Sequence, residues 1–216
     1  MHTLFLLLTL LFSNLFCVIS LVLGQTVAPE SRENFALFDG HSFEGWEGNL
    51  QWFRIEAGSI VGGSLSQKIP RNEFLCTRRE FGDFELELKV KLEAGKGNAG
   101  IQIRSRRIPD HHEVIAYQAD MGQVYWGALY NESRRREILA QPDPEELKRI
   151  LEQDDWNTYR IQAGGNRIQL WLNGHSTVDY VEKEAGIERK GVICLQIHSG
   201  PPSEAWYRDI VLTELP

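Results

Sequence analysis

The sequence predicts an all-β protein, an antiparallel two-sheet jelly-roll sandwich that carries one short helix. Short segments in which apolar and polar side chains alternate recur along the chain, and turns rich in glycine separate them. Convincing helix signals occur in one segment alone, and the sequence contains no internal repeat. This combination is typical of a sandwich in which each sheet buries one face against the other.

The N-terminal segment predicts export. Residues 1–24 contain no Lys, Arg, Asp or Glu, and an apolar run from Leu4 leads to Gly24. This pattern predicts a signal peptide at residues 1–24, followed by a polar lead-in at 25–34 and one domain at 35–216. An uncleaved anchor is the alternative, because the apolar run is long. We therefore expect a secreted or periplasmic protein that has no membrane partner once the signal is removed.

Charge and cysteine content restrict the partners and the compartment. The formal net charge of −7 argues against a nucleic-acid partner, because a phosphate-binding surface normally carries an excess of Lys and Arg. Cys17 lies in the predicted signal, which leaves Cys76 and Cys194. Export permits a disulfide between these two, but a pair of free thiols fits the sequence equally well. The oligomeric state is not predicted.

The first strands of the domain are scaffold. Segments 35–40 and 51–63 are short β-like pieces with glycines at their turns, and no phosphate-binding glycine motif is present. Segment 84–92 has the clearest alternation, with five apolar side chains separated by Glu and Lys. It predicts a strand with one buried face and one solvated face.

Three strands combine an apolar face with a face of hydrogen-bonding side chains. They are predicted at residues 99–106, 114–120 and 192–198. Their polar faces carry, in order, Gln102 and Arg104, Gln118 and Asp120, and Gln196 and His198. If the strands are neighbours, these six side chains line one concave sheet face of a size that suits a saccharide. The alternative is that these faces are merely exposed.

The one predicted helix occupies residues 144–153. Asp143 is the expected N-cap, Pro144 fits the first helical position, and Glu146 is the expected capping-box partner. A hairpin of strands 156–163 and 166–173 is expected to follow. The Asn-Gly pair at 173–174 then marks a tight turn, and a last strand at 205–212 closes the domain.

Segment 117–136 is the predicted rim of the ligand surface. It holds three tyrosines, a tryptophan, two carboxylates and three arginines without an apolar run. Aromatic faces can stack on a sugar while the polar groups orient it. The alternative is a solvated loop in which Glu132 forms a salt bridge with the arginines at 134–136. Asp120, Glu132, Asp179 and Glu182 are the carboxylates expected to converge.

Several of these stretches together resemble a known family. YQADMG, YWGALYNESRRR, WNTYRIQ, LWLNG with DYVE, and GVICLQIHSGPP leading to YRDIVL are similar in order and spacing to the 3-keto-disaccharide hydrolase family. The resemblance runs from about residue 35 to 215. It implies a concanavalin-A-like jelly roll, bacterial secretion, and cleavage of glycosides already oxidised to a ketone at C3. The alternative is a carbohydrate-binding module without chemistry, and a third reading is an adhesion or envelope domain.

The implied chemistry needs a base at C2, a cation or donor at the enolate oxygen and an acid at the leaving oxygen. Serine-hydrolase and zincin motifs are absent from the sequence. We assign Asp120 or Glu132 as base, His198 as second acid/base and Arg104 as enolate stabiliser. No cofactor is fixed, but a divalent cation bound by His198, Asp120 or Glu132 stays open. The predicted substrate contacts are Gln118, Tyr117, Trp126 (as stacking platform), Tyr130, Gln196 and Arg134.

One position departs from the family pattern. The resemblance implies an aspartate immediately before Glu132, whereas this chain carries Asn131 there. If that aspartate supplies a charge to the site, the exchange puts catalysis or metal binding in question.

Overall fold

The computed structural model describes residues 34–93 and 97–216, which belong to one compact unit. The predicted signal peptide and the lead-in up to residue 33 lie outside the described residues. Asn34, predicted as lead-in, already belongs to the first strand. No helix within the described ranges combines the length and apolarity that crossing a bilayer requires.

Fifteen strands and one helix form within these ranges. In chain order they are β1 Asn34–Ala36, β2 Trp46–Glu47, β3 Phe53–Glu56, β4 Ser59–Ser64, β5 Glu73–Thr77, β6 Phe84–Glu93, β7 Ala99–Arg107, β8 Val114–Met121, β9 Leu129–Glu132, β10 Ile138–Ala140, α1 Pro144–Ile150, β11 Asn157–Gly164, β12 Arg167–Leu172, β13 His175–Val181, β14 Val192–Ile197 and β15 Ser203–Glu214.

The strands form two antiparallel sheets that pack as a sandwich, so the predicted fold class is confirmed. The first sheet has the order β13-β12-β11-β6-β15-β4-β3, with β1 also paired to β15. The second sheet has the order β10-β9-β8-β7-β14-β5-β2. Strands that are distant in sequence are therefore neighbours in each sheet, as a jelly roll requires.

β6 shows why the alternating pattern folds this way. Phe84, Leu86 and Leu88 are fully buried between the sheets, while the Glu and Lys residues between them remain partly or fully exposed. Burial of each such apolar side chain contributes roughly 1.5–3 kcal/mol. A slip of one residue would exchange the two faces, so this pattern fixes the register of β6 between β11 and β15.

The helix forms where its capping signals place it. Asp143 accepts hydrogen bonds from the backbone N–H groups of Glu145 and Glu146 at 2.9 and 3.1 Å. The helix ends at Ile150, three residues earlier than predicted, because Leu151 is extended with φ −79° and ψ 123°. Burial of Leu147 and Ile150 anchors the helix to the core.

The second sheet brings the three predicted polar strands together, because β7 lies between β8 and β14. Antiparallel partners share a sheet face, and the pairing Gln118↔Gln102↔Cys194↔Cys76 forms one row across the outward face. Cys76 and Cys194 are joined by a disulfide, which settles the alternative that the sequence left open. The row Asp120↔Gly100↔Gln196↔Phe74 lies beside it.

Candidate active site

A cleft of about 590 Å³ opens on the outward face of the second sheet. Its floor comes from β8 and β9, and its walls come from the β8–β9 loop, the β9–β10 hairpin and the segment that follows β14. This volume suits a small saccharide. The lining residues are Gly97, Asn98, Gln118, Asp120, Gln123, Tyr125, Tyr130, Glu132, Arg136, Glu137, Ile138, His198, Ser199, Gly200, Pro201 and Ser203.

Asp120 lies on the cleft floor with only 5% of its surface exposed. Burial raises its pKa to about 7, and the negative charge of Glu132 adds to this effect. Hydrogen bonds from Asn98, Gln118 and the backbone of Met121 oppose the shift by stabilising the carboxylate. The Asn98 bond joins Nδ2 to Asp120 Oδ1 at 2.9 Å. Asp120 is therefore a fixed carboxyl group that can gain or lose a proton near neutrality.

Glu132 is the second buried carboxyl group of the floor. Burial raises its pKa to about 7, and the nearby negative charge of Glu113 raises it further. Gln196 Nε2 donates to Glu132 Oε2 at 3.3 Å, and the positive charge of Arg136 also favours the carboxylate. Glu132 and Asp120 act electrostatically on the same cleft, so protonation of one favours ionisation of the other.

His198 lines the cleft immediately after β14. Its backbone N–H donates to the Asn98 carbonyl at 3.0 Å. Its Nδ1 lies 2.7 Å from the Ser199 carbonyl oxygen, and a carbonyl can only accept, so Nδ1 carries the proton. The ring nitrogen Nε2 then holds a lone pair that can take a proton.

An amide network supports both carboxyl groups. Gln102 Nε2 donates to Gln118 Oε1, and Gln118 in turn bonds Asp120. Gln118 and Tyr130 line the cleft as predicted. Gln196 differs from its prediction as a substrate contact, since it is fully buried and holds Glu132 from below. It orients the carboxyl group rather than touching the cleft.

Arg104 is not in the cleft, so its predicted role as enolate stabiliser is wrong. A β-bulge places Arg104 and Ser105 opposite Ala116 alone, and Arg104 adopts a φ of 49°. Its guanidinium donates instead to Asp83 Oδ1 and to the Gly165 carbonyl, both at 2.7 Å. The alternation that correctly placed Gln102 on the outward face is broken two residues later.

Tyr117 and Arg134 are also misplaced by the prediction. Tyr117 points into the sandwich interior, and its hydroxyl donates to Glu182 Oε2 at 2.7 Å. The Arg134 guanidinium lies over the Tyr117 ring at 5.1 Å from its centroid and is not among the cleft residues. Both side chains make contacts within the protein, Tyr117 with Glu182 and Arg134 with the Tyr117 ring, and neither lines the cleft.

The predicted stacking platform is the wrong aromatic residue. Trp126 is 5% exposed and stacks on Tyr159 in the core, with ring centroids 6.4 Å apart. Its neighbour Tyr125 is 37% exposed and lines the cleft. Tyr125 and Tyr130 are therefore the aromatic side chains available to a sugar.

The four carboxylates expected to converge separate into different places. Asp179 is exposed and pairs with Arg167, and Glu182 bonds Arg135 Nη2 at 2.9 Å. Glu182, together with Glu184, is therefore the carboxylate that pairs with Arg135 of this loop. Of these four, only Asp120 and Glu132 reach the cleft.

Asn131 lies on the opposite sheet face from Glu132. It pairs with Tyr117 and is fully buried, and its Oδ1 accepts from the backbone N–H of Arg135 at 3.1 Å. The side chain closes the turn of the β9–β10 hairpin. A residue at this position does not contribute a charge to the cleft floor.

Several cleft residues were not predicted as ligand contacts from the sequence, among them Asn98, Tyr125 and Arg136. They lie in loops or at strand ends, where no periodicity reveals which way a side chain points. In the described part of the chain, no three His, Cys, Asp or Glu side chains are grouped to bind a metal ion. His198, Asp120 and Glu132 are thus not grouped as the metal-ligand set considered from the sequence.

The fold and the cleft together define a jelly-roll domain with a polar site of a size that suits a saccharide. Within that class, the chain belongs to the family described as 3-keto-alpha-glucoside-1,2-lyase-like domain, which matches residues 34–213. The resemblance read from the sequence is confirmed.

Solved structures share this fold at low sequence identity. A candidate glycosyl hydrolase from Parabacteroides distasonis ATCC 8503 is 18% identical, with a TM-score of 0.65 over 85% of this chain and 94% of its own. The carbohydrate-binding module CBM66 from Bacillus subtilis is 14% identical, with a TM-score of 0.58 over 79% of this chain and 96% of its own. A Bacillus subtilis protein with a galectin-like fold is 12% identical, with a TM-score of 0.59 over 80% of this chain and 90% of its own.

No curated protein sequence matches the chain. The family gives the chain a carbohydrate-related role, and the structural neighbours share its fold.

Proposed function

We propose that the chain is an enzyme that cleaves 3-keto-glycosides by elimination and hydration. The observation that carries this proposal is the pairing of two buried carboxyl groups, Asp120 and Glu132, whose pKa values both rise to about 7 in one cleft with His198. Groups that titrate near the working pH are suited to general acid–base catalysis. Burying two carboxyl groups lowers the stability of the fold, and proton transfer at neutral pH is a use for both of them in one cleft.

The reaction follows from the ketone. A carbonyl at C3 acidifies the C2 proton, which a carboxylate removes while the C–H electron pair moves into an enolate. The enolate re-forms the carbonyl and expels the C1 substituent, whose oxygen takes a proton from an acid. The product is an enone, and addition of water across its C1–C2 double bond gives the free 3-keto sugar. This route does not need the oxocarbenium ion and the facing carboxylate pair of ordinary glycosidases.

The two carboxyl groups are assigned different roles because their surroundings differ. Asp120 accepts three hydrogen bonds that favour its carboxylate form, so it is the proposed base. Glu132 faces the negative charge of Glu113 and accepts fewer bonds, so it is the proposed acid at the leaving oxygen. Arg136 replaces Arg104 as the cation available to the enolate oxygen, because it lines the cleft beside Glu132. His198 Nε2 is assigned to the activation of water in the hydration step.

A carbohydrate-binding module without chemistry is the second candidate. It is favoured by the fold shared with the Bacillus subtilis module. The two proposals differ in turnover, because both require sugar binding in the same cleft.

The test uses the purified chain with an aryl 3-keto-glucoside that releases a coloured phenol, with the unoxidised glucoside as substrate control. We expect turnover of the oxidised substrate alone, with a bell-shaped pH dependence centred near neutrality. Asp120→Asn and Glu132→Gln should each lower kcat by at least about 100-fold. Asp179→Asn is the matched control, because its exposed carboxylate pairs with Arg167 outside the cleft.

Tight sugar binding without turnover would overturn the enzyme proposal and favour a carbohydrate-binding module. Turnover that survives both cleft substitutions would show that the reaction occurs elsewhere. A parallel assay with chelator asks whether any activity depends on a metal.

We also propose that the protein acts outside the cytoplasm. The Cys76–Cys194 disulfide supports this, since such bonds persist in oxidising compartments. N-terminal sequencing of the exported protein tests it, with Gln25 as the expected first residue. A chain that retains residues 1–24 in the membrane fraction would establish the anchor instead.

A further inference from the structure

The turn that presents His198 is held at three consecutive backbone N–H groups. His198 N–H donates to the Asn98 carbonyl at 3.0 Å, and Gly200 N–H donates to the Ile69 carbonyl, also at 3.0 Å. Between them, Ser199 N–H donates to Asn72 Oδ1 at 2.9 Å. The Ser199 N–H thus has a side-chain acceptor, Asn72, whereas the N–H groups of His198 and Gly200 have backbone carbonyl acceptors.

Asn72 is itself held from its other end. Its Nδ2 donates to Glu113 Oε1 at 3.3 Å, and His112 Nε2 lies 3.4 Å from the same oxygen. Glu113 is at the end of the β7–β8 loop, and its charge acts on Glu132 in the cleft. One half-buried amide therefore connects the turn at His198 with the loop whose carboxylate acts electrostatically on Glu132.

We propose that Asn72 is a positioning residue that fixes the ring of His198 through Ser199, with Glu113 fixing Asn72. The chain of bonds runs from Glu113 to Asn72, from Asn72 to Ser199 N–H, and from the Ser199 carbonyl to His198 Nδ1. Asn72 does not line the cleft and is not a catalytic residue. Its importance for turnover rests on the function proposed above, whereas its effect on the His198 ring does not.

The physical reason is the coupling between the turn and the ring tautomer. The Ser199 carbonyl accepts the Nδ1 proton only while the peptide groups on both sides of Ser199 keep their orientation. Without Asn72 the Ser199 N–H loses its acceptor, and one of the three ties of the turn is lost. The ring is then free to take the other tautomer, in which Nε2 carries the proton and can no longer accept one.

Asn49 offers a matched control because it makes the same two kinds of bond and bonds none of the residues of this turn. Its Nδ2 donates to Glu73 Oε1 at 3.1 Å, and its Oδ1 accepts from the Gln51 N–H at 3.2 Å. Asn49→Ala therefore removes an equivalent half-buried amide without touching His198.

The first experiment is proton–nitrogen NMR of the histidine rings in the full chain without substrate, with His198→Gln used to assign the signal. We expect the Nδ1–H tautomer in the wild type and in Asn49→Ala, and a mixture of tautomers in Asn72→Ala. Asn72→Gln, which keeps both an acceptor for the Ser199 N–H and a donor for Glu113, should restore the Nδ1–H signal and serves if the alanine variant does not fold. An unchanged His198 signal in Asn72→Ala would overturn the proposal.

The second experiment measures turnover of the aryl 3-keto-glucoside. Asn72→Ala should lower kcat by about 10- to 100-fold, the loss that a misplaced catalytic group causes, while KM stays near its wild-type value. Asn49→Ala should match the wild type. If the enzyme is active and Asn72→Ala has the same kcat as Asn49→Ala, the proposed positioning role of Asn72 is overturned. A wild type that is inactive overturns the proposed function instead, and the NMR result then decides the structural inference alone.

Discussion

Asp120 and Glu132 are buried by the fold, although water solvates an ionised carboxyl group better than the protein interior does. Burial is the largest influence on each, and it exceeds the stabilising hydrogen bonds from Asn98, Gln118 and Gln196. The pKa values near 7 follow from this balance. The cost to stability and the capacity to transfer protons at neutral pH therefore have one cause.

The raised pKa of Asp120 predicts a dependence of stability on pH. The carboxyl group releases its proton near pH 4 when unfolded and near pH 7 when folded, so the folded state binds more protons between these values. The free energy of unfolding should fall as the pH rises from about 4 to about 7, by about 1.4 kcal/mol per unit of pKa difference. Asp120→Asn should reduce this loss. Urea unfolding of both proteins at pH 4 and pH 8 measures the effect.

We expect Asp120→Asn to have a higher free energy of unfolding than the wild type at pH 8. At pH 4 the difference should be small. Asp179→Asn should show no such gain at pH 8, because its carboxyl group is exposed and paired with Arg167. A constant difference between Asp120→Asn and the wild type across this range would contradict the raised pKa.

Residues with a strand period could be placed from sequence, and loop residues could not. Alternation put Gln118 and Asp120 on the polar face of β8, and both line the cleft, whereas Tyr117, predicted as a substrate contact, lies on the interior face. Tyr125 and Trp126 are adjacent in a loop, and chain geometry alone does not say which ring turns outward. Trp126 is the larger apolar surface, so its burial against Tyr159 is the more stabilising choice.

At the scale of the element, β7 contains a bulge that the alternation of its side chains does not predict. The strand alternates regularly up to Ile103, and the bulge at Arg104 and Ser105 then adds one residue against β8. A bulge is defined by the partner strand, so the sequence of β7 by itself does not reveal it. The same bulge allows Arg104 to reach Asp83 and Gly165 and thereby to tie the second sheet to the β11–β12 turn.

Arg104 should accordingly matter for stability and not for turnover. Arg104→Ala removes a buried guanidinium and leaves Asp83 and the Gly165 carbonyl without their partner. We expect a loss of about 2–3 kcal/mol in the free energy of unfolding, typical of charged hydrogen bonds, measured by urea titration. Arg160→Ala is the control, because Arg160 makes a longer and more exposed pair with Glu85 at 3.4 Å. A selective fall in kcat in folded Arg104→Ala would restore the catalytic role that the structure removes.

At the scale of the molecule, one covalent bond joins strands that are far apart in sequence. Cys76 and Cys194 are separated by 118 positions and lie opposite each other on β5 and β14. Cys194 is two residues before Gln196, so the bond also fixes the strand that supports Glu132.

The Cys76→Ser, Cys194→Ser double variant should be less stable by about 2–4 kcal/mol, because its unfolded chain is less constrained. Thermal unfolding with and without a reducing agent measures this loss. Reductant should lower the midpoint of the wild type and leave the double variant unchanged. A wild-type midpoint insensitive to complete reduction would show that the bond does not contribute.

Asn131 has a consequence for how relatives of this chain are sorted by sequence. A criterion that demands an acidic residue before the glutamate would set this protein apart as a degenerate member. The Asn131 side chain closes a hairpin turn on the interior face, and the cleft keeps its two buried carboxyl groups, Asp120 and Glu132. The informative positions for such sorting are those equivalent to Asp120, Glu132 and His198, which lie on three different strands or strand ends and in no single motif.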